Sequence, residues 1–238
     1  MGTYIIAEMA WSHNGSLEIG IETLKGAAAA GADAISVHIT SMPDYMVKDY
    51  KCTAGQTLSG DGQGQDKSIY EILDELNLTD DEWRIFNSKA LELGIDLLVM
   101  PNDMPSLEFS RELNVTAYVL SPAAFQELNL VRSVARSCSR VYLRTGGATL
   151  DEVNSVVELL LQTNSAIRIV LLAGIQLYPT PIEYLHLSSL ATLADEFRDN
   201  QLEVGLADHI DGDHEYAPYL PAVALAFGAS VLEKHITL

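Results

Sequence analysis

Two histidines stand at the ends of apolar runs late in the chain. His209 follows Val204-Gly-Leu-Ala-Asp208, and His235 follows Ala229-Ser-Val-Leu-Glu-Lys234. An imidazole at the carboxyl end of a buried parallel strand sits where α/β proteins place their chemistry. A neutral imidazole pair suits manganese, iron or zinc, and the positions it leaves open would admit substrate oxygens to a Lewis acid. The alternative is two histidines hydrogen-bonded in a polar cleft. A carboxylate precedes each, Asp208 and Glu233. Asp208, next to a ligand histidine, is expected to orient a neighbouring group rather than to bind metal itself.

Three more residues have chemical promise. Glu8 lies in the first apolar run, where a buried carboxylate requires a partner, and reads as a general base or as support for one. His38 shares its alternation with Ser36, so both should face the same interior. It reads as a third ligand, an acid/base group or a hydrogen-bonded polar residue. Arg144 can hold an anionic group through paired hydrogen bonds, or form an ion pair with Asp103 or Glu8.

These residues need a scaffold that brings strand ends together. Strand-like runs are predicted at Tyr4–Ala10, Ala34–Thr40, Ile95–Met100, Thr116–Leu120, Arg140–Thr145, Arg168–Ala173, Leu202–Asp208 and Ser230–Ile236. Most are continuously apolar, as strands covered on both faces are. Helical patterns alternate with them: Leu17–Ala30, Tyr70–Leu93 broken at Asn77–Thr79, Ser106–Leu113, Leu128–Ser137, Leu150–Leu161, Pro181–Phe197 and Ala217–Phe227. Ser16, Thr79 and Thr149 stand before first-turn acids as capping hydroxyls, and Gly31 and Gly94 stand where C-caps belong. Short right-handed βα units in this number predict a TIM (β/α)8 barrel, an α/β fold, as one domain over residues 1–238. The chain stops as the eighth strand ends, so the eighth helix is expected to be missing. Its flank would then be covered in a homo-oligomer, or the chain would be a piece of a longer one. A long Gly- and Gln-containing loop, 41–68, follows the second strand and reads as a lid or as a flexible connection.

Composition narrows the partners. Of 238 residues, 48% are hydrophobic and 20% charged, ordinary for a soluble globular protein. The net charge of −19 argues against nucleic acid or an anionic membrane as partner, and leaves a small-molecule substrate. No leader pattern or membrane-length apolar run is present. Cys52 and Cys138 fit no CxxC spacing, so a reduced, cytoplasmic setting is expected.

Several stretches resemble the barrel domain of the sialic acid (N-acetylneuraminate) synthase family. They are Ile5-Ile-Ala-Glu8-Met-Ala-Trp-Ser-His13-Asn-Gly15, Ala30-Gly-Ala-Asp-Ala-Ile-Ser-Val-His38 and Ser68-Ile-Tyr-Glu through Trp83. Leu177-Tyr-Pro-Thr-Pro-Ile-Glu183, Val204 through His209 and Gly228 through Leu238 complete the set. They occur in the family's order and cover nearly the whole chain. The resemblance implies condensation of phosphoenolpyruvate with an N-acyl hexosamine in carbohydrate biosynthesis. It implies a divalent metal, manganese or magnesium, on His209 and His235, an acid role for Glu8, and sugar or carboxylate contacts from Gln176 and Tyr178.

The departures from that family cluster. Lys-Phe-Gln on the second strand is Ser36-Val-His38 here, and Ser-Thr-Pro-Phe-Asp after the third is Val99-Met-Pro-Asn-Asp103. Lys-Ile-x-Ser on the fourth becomes Val119-Leu-Ser-Pro122, Ser-Thr-Gly on the fifth becomes Arg144-Thr-Gly146, and Ser-Asp-His becomes Ala207-Asp-His209. No C-terminal antifreeze-like domain is expected. The lost lysines and hydroxyls are those that would offset desolvation of a phosphate. Glu8 and His38 are therefore expected to move protons, Asp103, Arg144, Gln176 and Tyr178 to contact substrate, and His209 and His235 to hold Mn, Fe, Zn or Mg. The alternatives are an aldolase, lyase or isomerase that does not use phosphoenolpyruvate, and a non-catalytic sugar-binding barrel.

Overall fold

The computed structural model describes residues 2–48, 68–197 and 202–238. In chain order its elements are β1 Tyr4–Ala10, α1 Leu17–Ala29, β2 Ala34–Ile39, α2 Met42–Tyr45, α3 Ile69–Leu76, α4 Asp80–Leu93, β3 Asp96–Pro101 and α5 Met104–Glu112. There follow β4 Ala117–Leu120, α6 Leu128–Ser137, β5 Arg140–Arg144, α7 Leu150–Thr163, β6 Arg168–Ala173, α8 Ser189–Glu196, β7 Glu203–Asp208, α9 Leu220–Ala226 and β8 Val231–His235. The strands pair in parallel in sequence order, and β1 pairs with β8 to close the barrel. The fold is a TIM barrel, as expected. No helix among the described residues is long and apolar enough to cross a membrane.

The alternation of side chains builds two cores. One face of each strand fills the barrel interior with Tyr4, Ile6, Ala34, Leu98, Val119, Tyr142, Leu172 and Val231 among others. The other face packs beneath the helices, against residues such as Leu24, Trp83, Phe86, Leu107, Val131 and Val157. The N-terminal end of the interior is closed by polar residues. Tyr4 donates to Asp96 at 2.6 Å, and Arg140 donates to Glu203 at 3.0 Å while lying over the Tyr4 and Tyr142 rings. The C-terminal end is left for chemistry.

Local sequence explains most helix limits. Thr79 with Glu82 and Thr149 with Glu152 form reciprocal capping boxes, as does Ser68 with Glu71, while Gly94 at φ 68° ends α4 in the left-handed region. Two expected helices are shorter. Pro181–Phe197 splits into a 3-10 turn at Ile182–Tyr184 and α8, because Leu185 and Leu187 turn inward against Ile210, Ala217 and Leu220. The helix expected from Ala217 begins at Leu220, which puts Pro221 in the first turn, where its missing amide hydrogen costs nothing; a start at Ala217 would need that donor. Of the long loop 41–68, residues 49–67 lie outside the described residues, as does Cys52.

Candidate active site at the barrel mouth

The site begins with a bulge. The β1–β2 register shifts between Glu8 and Ala10, and Ala10 takes φ 47°, unusual for a residue with a Cβ. The Glu8 carboxylate holds the bulge itself, with Oε1 accepting from the Ala10 amide at 2.9 Å. Its Oε2 accepts from Arg144 Nη2. Arg144 crosses the barrel axis from β5, four strands away, and its Nε lies 3.0 Å from Glu233 Oε1 on β8. Glu8, Arg144 and Glu233 are all buried, and together they floor the mouth.

Electrostatics in the floor are one-sided. Burial works against the Glu8 carboxylate, but the Arg144 charge, with help from His38 and His235, outweighs it and holds Glu8 well below the usual carboxylate range. Burial raises Glu233 instead; Arg144 opposes that rise and the nearby Glu8 charge adds to it. Burial also opposes the Arg144 charge, but Glu233 and Glu8 more than compensate, so the guanidinium stays protonated.

Above the floor stand the imidazoles. His209, just past β7, places Nδ1 2.6 Å from the Ile175 carbonyl oxygen. A carbonyl can only accept, so Nδ1 carries the proton and Nε2 keeps its lone pair. His235, the last residue of β8, lies level with Glu8, and its buried Nε2 has no hydrogen-bond partner. The two ring centroids are 4.8 Å apart. Burial depresses both basicities, that of His235 to about 4, so both rings are neutral at pH 7. Neutral rings, a fixed tautomer and an orphaned buried nitrogen fit a divalent cation. Among the described residues no group of three or more His, Cys, Asp or Glu is arranged for a metal, so the fit is to two protein ligands with the other positions open.

The remaining expected residues divide. His38 faces the interior, its Nε2 3.5 Å from Glu8 Oε1, with Trp11 edge-on beside it. Tyr178 is exposed and lies over both imidazoles, its ring centroid 5.1 Å from His235 and 6.0 Å from His209. Gln176 is exposed two residues earlier on the same loop. Glycines let that loop close in: a Cβ on Gly174 would lie 2.1 Å from the Ala207 carbonyl oxygen, and one on Gly146 would lie 2.6 Å from that of Gly174.

Asp103 is put to another use than the expected substrate contact. It caps α5, Oδ1 accepting from Ser106 N at 2.7 Å and Oδ2 from Ser41 N at 2.7 Å, so neither oxygen reaches Arg144. Asp208 likewise makes no hydrogen bond to a histidine. It faces away from the barrel interior and is paired with Lys234 at 2.8 and 3.0 Å, which ties the ends of β7 and β8 together. His13 is buried where the first turn needs it, its Nδ1 accepting from Gly15 N at 3.2 Å and its ring edge-on to Trp83. The residue that sequence reasoning left without a role is Glu233. Its spacing of two from His235 on a strand was the available signal.

Fold and site together define a (β/α)8-barrel protein with a carboxylate–guanidinium floor beneath two neutral histidines at the C-terminal mouth. The NeuB family model matches residues 23–238, and the chain belongs to that family. It is 31% identical to an uncharacterized protein of Methanocaldococcus jannaschii over 236 residues, covering 99% of this chain and 62% of that protein. It is also 31% identical to the pseudaminic acid synthase of Campylobacter jejuni over 245 residues, covering 99% of this chain and 65% of the synthase. The chain thus spans a little under two thirds of these relatives' lengths. Among solved structures, the sialic acid synthetase of Leptospira borgpetersenii superposes with a TM-score of 0.82 at 22% identity, over 100% of this chain and 74% of that one, a likeness of fold.

Proposed function

We propose that this barrel is a metal-dependent enzyme of the sialic acid synthase type, acting at the carbonyl of a sugar or related small molecule in carbohydrate biosynthesis. The observation that carries the reading is the pair of buried, neutral imidazoles, His209 and His235, beside an ionised and immobilised Glu8. Family membership and the names of the relatives, pseudaminic and N,N'-diacetyllegionaminic acid synthases, point the same way.

His209 and His235 would hold the ion, which supplies Lewis-acid polarisation of a carbonyl oxygen when bound. The chain's own residues do the rest. Glu8 stays ionised because Arg144 holds it, which leaves it a weak base, so its part is to orient the His38 imidazole rather than to take the proton itself. His38, its Nε2 3.5 Å from Glu8 Oε1, is the group placed to move a proton. Tyr178 roofs the histidines and reduces water access to them, and Gln176 presents an amide at the rim.

The test is manganese titration followed by electron paramagnetic resonance. One equivalent should bind the full chain, and His209→Ala and His235→Ala should each lose it while circular dichroism stays unchanged. Retained stoichiometric binding in the double variant refutes the assignment.

A further inference from the structure

A second cleft lies outside the barrel wall and shares no lining residue with the histidine site. Its volume is about 360 Å³, in the lower range of small-ligand sites. β2 reaches it on its outward face at Ile39, just past the inward His38, and Met42, Leu78 and Phe109 are among its other apolar walls. These residues come from either side of residues 49–67 in the chain and from α5, and none lies within 49–67.

Two residues of that lining hold buried polar atoms without partners. Trp83 is 1% exposed and its Nε1 donates to nothing, while Asn77 Oδ1 accepts nothing. The orientation of the Asn77 amide is fixed, because Nδ2 donates to the Thr40 carbonyl oxygen at 2.6 Å and a carbonyl can only accept. His13, edge-on to Trp83, cannot serve the indole. Its Nδ1 accepts from Gly15 N, so its Nε2 carries the proton and is itself a donor. Buried polar atoms are ordinarily satisfied, so the cleft is short of one acceptor and one donor. The rim adds a sign: Asp74 and Asp80 line it, both exposed, and among the described residues no lysine, arginine or histidine does.

We infer that this cleft is a second small-molecule site, for an uncharged or cationic compound with an apolar body and a carboxamide-like pair of acceptor and donor. The acceptor meets Trp83 Nε1, the donor meets Asn77 Oδ1, and the body lies against Ile39, Met42, Leu78 and Phe109. Asp74 and Asp80 disfavour an anion there. Ile39 and Thr40 directly follow His38, so an occupant braces the strand end that presents it. The site stands whether or not the histidines hold a metal.

The experiment is nuclear magnetic resonance of the full chain with isotope-labelled tryptophan. The chain has two tryptophans, so two indole N–H signals are expected, and Trp11→Phe identifies that of Trp83. The probes are benzamide, the cationic 4-(aminomethyl)benzamide, the anionic 4-carboxybenzamide and N,N-dimethylbenzamide. Benzamide should shift the Trp83 signal saturably, with half-saturation at or below about 5 mM, as suits a probe of so few atoms. N,N-dimethylbenzamide keeps the acceptor and loses the donor, so it should bind at least about fivefold more weakly. The cation should bind about two- to fivefold more tightly than the anion, the span of an exposed ion pair, and Asp74→Lys at its exposed position should reverse that order. A Trp83 signal unmoved by benzamide at about 20 mM overturns the site, as does a Trp11 signal that moves in its place. An order of charged probes unaffected by Asp74→Lys overturns the charge assignment. N,N-dimethylbenzamide binding as well as benzamide overturns the Asn77 contact.

Discussion

Arg144→Met is the most informative single change. Each carboxylate–guanidinium contact at this range is worth about 4 kcal/mol of attraction in a partly polarised interior, before desolvation is subtracted. The wild-type bridge therefore contributes little net, because all three groups are buried. Removing the arginine alone is different: it leaves Glu8 and Glu233 buried together, and the expected loss is about 3–5 kcal/mol at pH 7. The sign with pH is also fixed. Glu8 has a folded-state pKa below its unfolded value, so its stabilising share is present above the usual carboxylate range and is lost as pH falls through the lower folded value. In Arg144→Met Glu8 is driven up and Glu233, already raised by burial in the wild type, rises further, and both take protons readily. The gap between wild type and variant should shrink as pH falls from 7 toward about 4.5, the ordinary glutamate range, where the variant's penalty is relieved, and further below it, where the wild type loses the Glu8 share. Urea unfolding followed by circular dichroism at pH 7 and pH 4 measures it. Glu8→Leu/Arg144→Met/Glu233→Leu, with no buried charge, should recover most of the loss. A single variant within about 1 kcal/mol of wild type at pH 7, or a triple variant as unstable as the single, would refute the description of the floor as a mutually dependent buried triad.

Gly174→Ala should lower stability by about 3 kcal/mol or more and weaken manganese binding, because its Cβ would meet the Ala207 carbonyl at 2.1 Å and push the Tyr178 loop off the histidines; thermal melts and the manganese titration read both, and a neutral effect would mean the two strand ends are not in contact. Burial and the nearby His38 depress His13 to about 4. A depressed histidine costs stability as pH falls, so this share is intact above about 6.5 and declines toward pH 4, by at most about 3 kcal/mol at 1.36 kcal/mol per unit. His13→Phe should flatten the slope of stability against pH in that window, and an unchanged slope would show that His13 titrates normally.

Strand limits and inner-face parity were legible because the strands are nearly continuous apolar runs broken by single polar residues. Glu8, His38 and Arg144 each interrupt such a run on the inward phase, and each does face the mouth. The capping role of Asp103 was not read, although its neighbours carry the signal: an acid two residues before Pro105 and three before Ser106 is placed to cap a helix. The stretch 181–197 was misread because Leu185 and Leu187, spaced by two, also suit a helix interrupted by polar positions; only the pocket formed by Ile210, Ala217 and Leu220 decides between them. The Arg144–Glu233 contact could not be read at all. It spans the barrel axis, and no local pattern encodes which opposite strand an inward arginine will reach.

That contact also limits what the family likeness can transfer. A shared backbone delivers the same strand ends to the same mouth. The charge on the axis is set by single side chains at those ends, and it can invert without moving a strand. Here Arg144 stands on β5, and among the described residues it adds no unpaired charge to the floor, because it is ion-paired with both Glu8 and Glu233. An arginine counted from the sequence alone looks like a replacement anion receptor; an arginine bound on both sides is a positioning residue that keeps one carboxylate ionised. The charge of the buried floor therefore turns on the pairing of Arg144 rather than on its presence, and Glu233 is the position where that pairing can be undone.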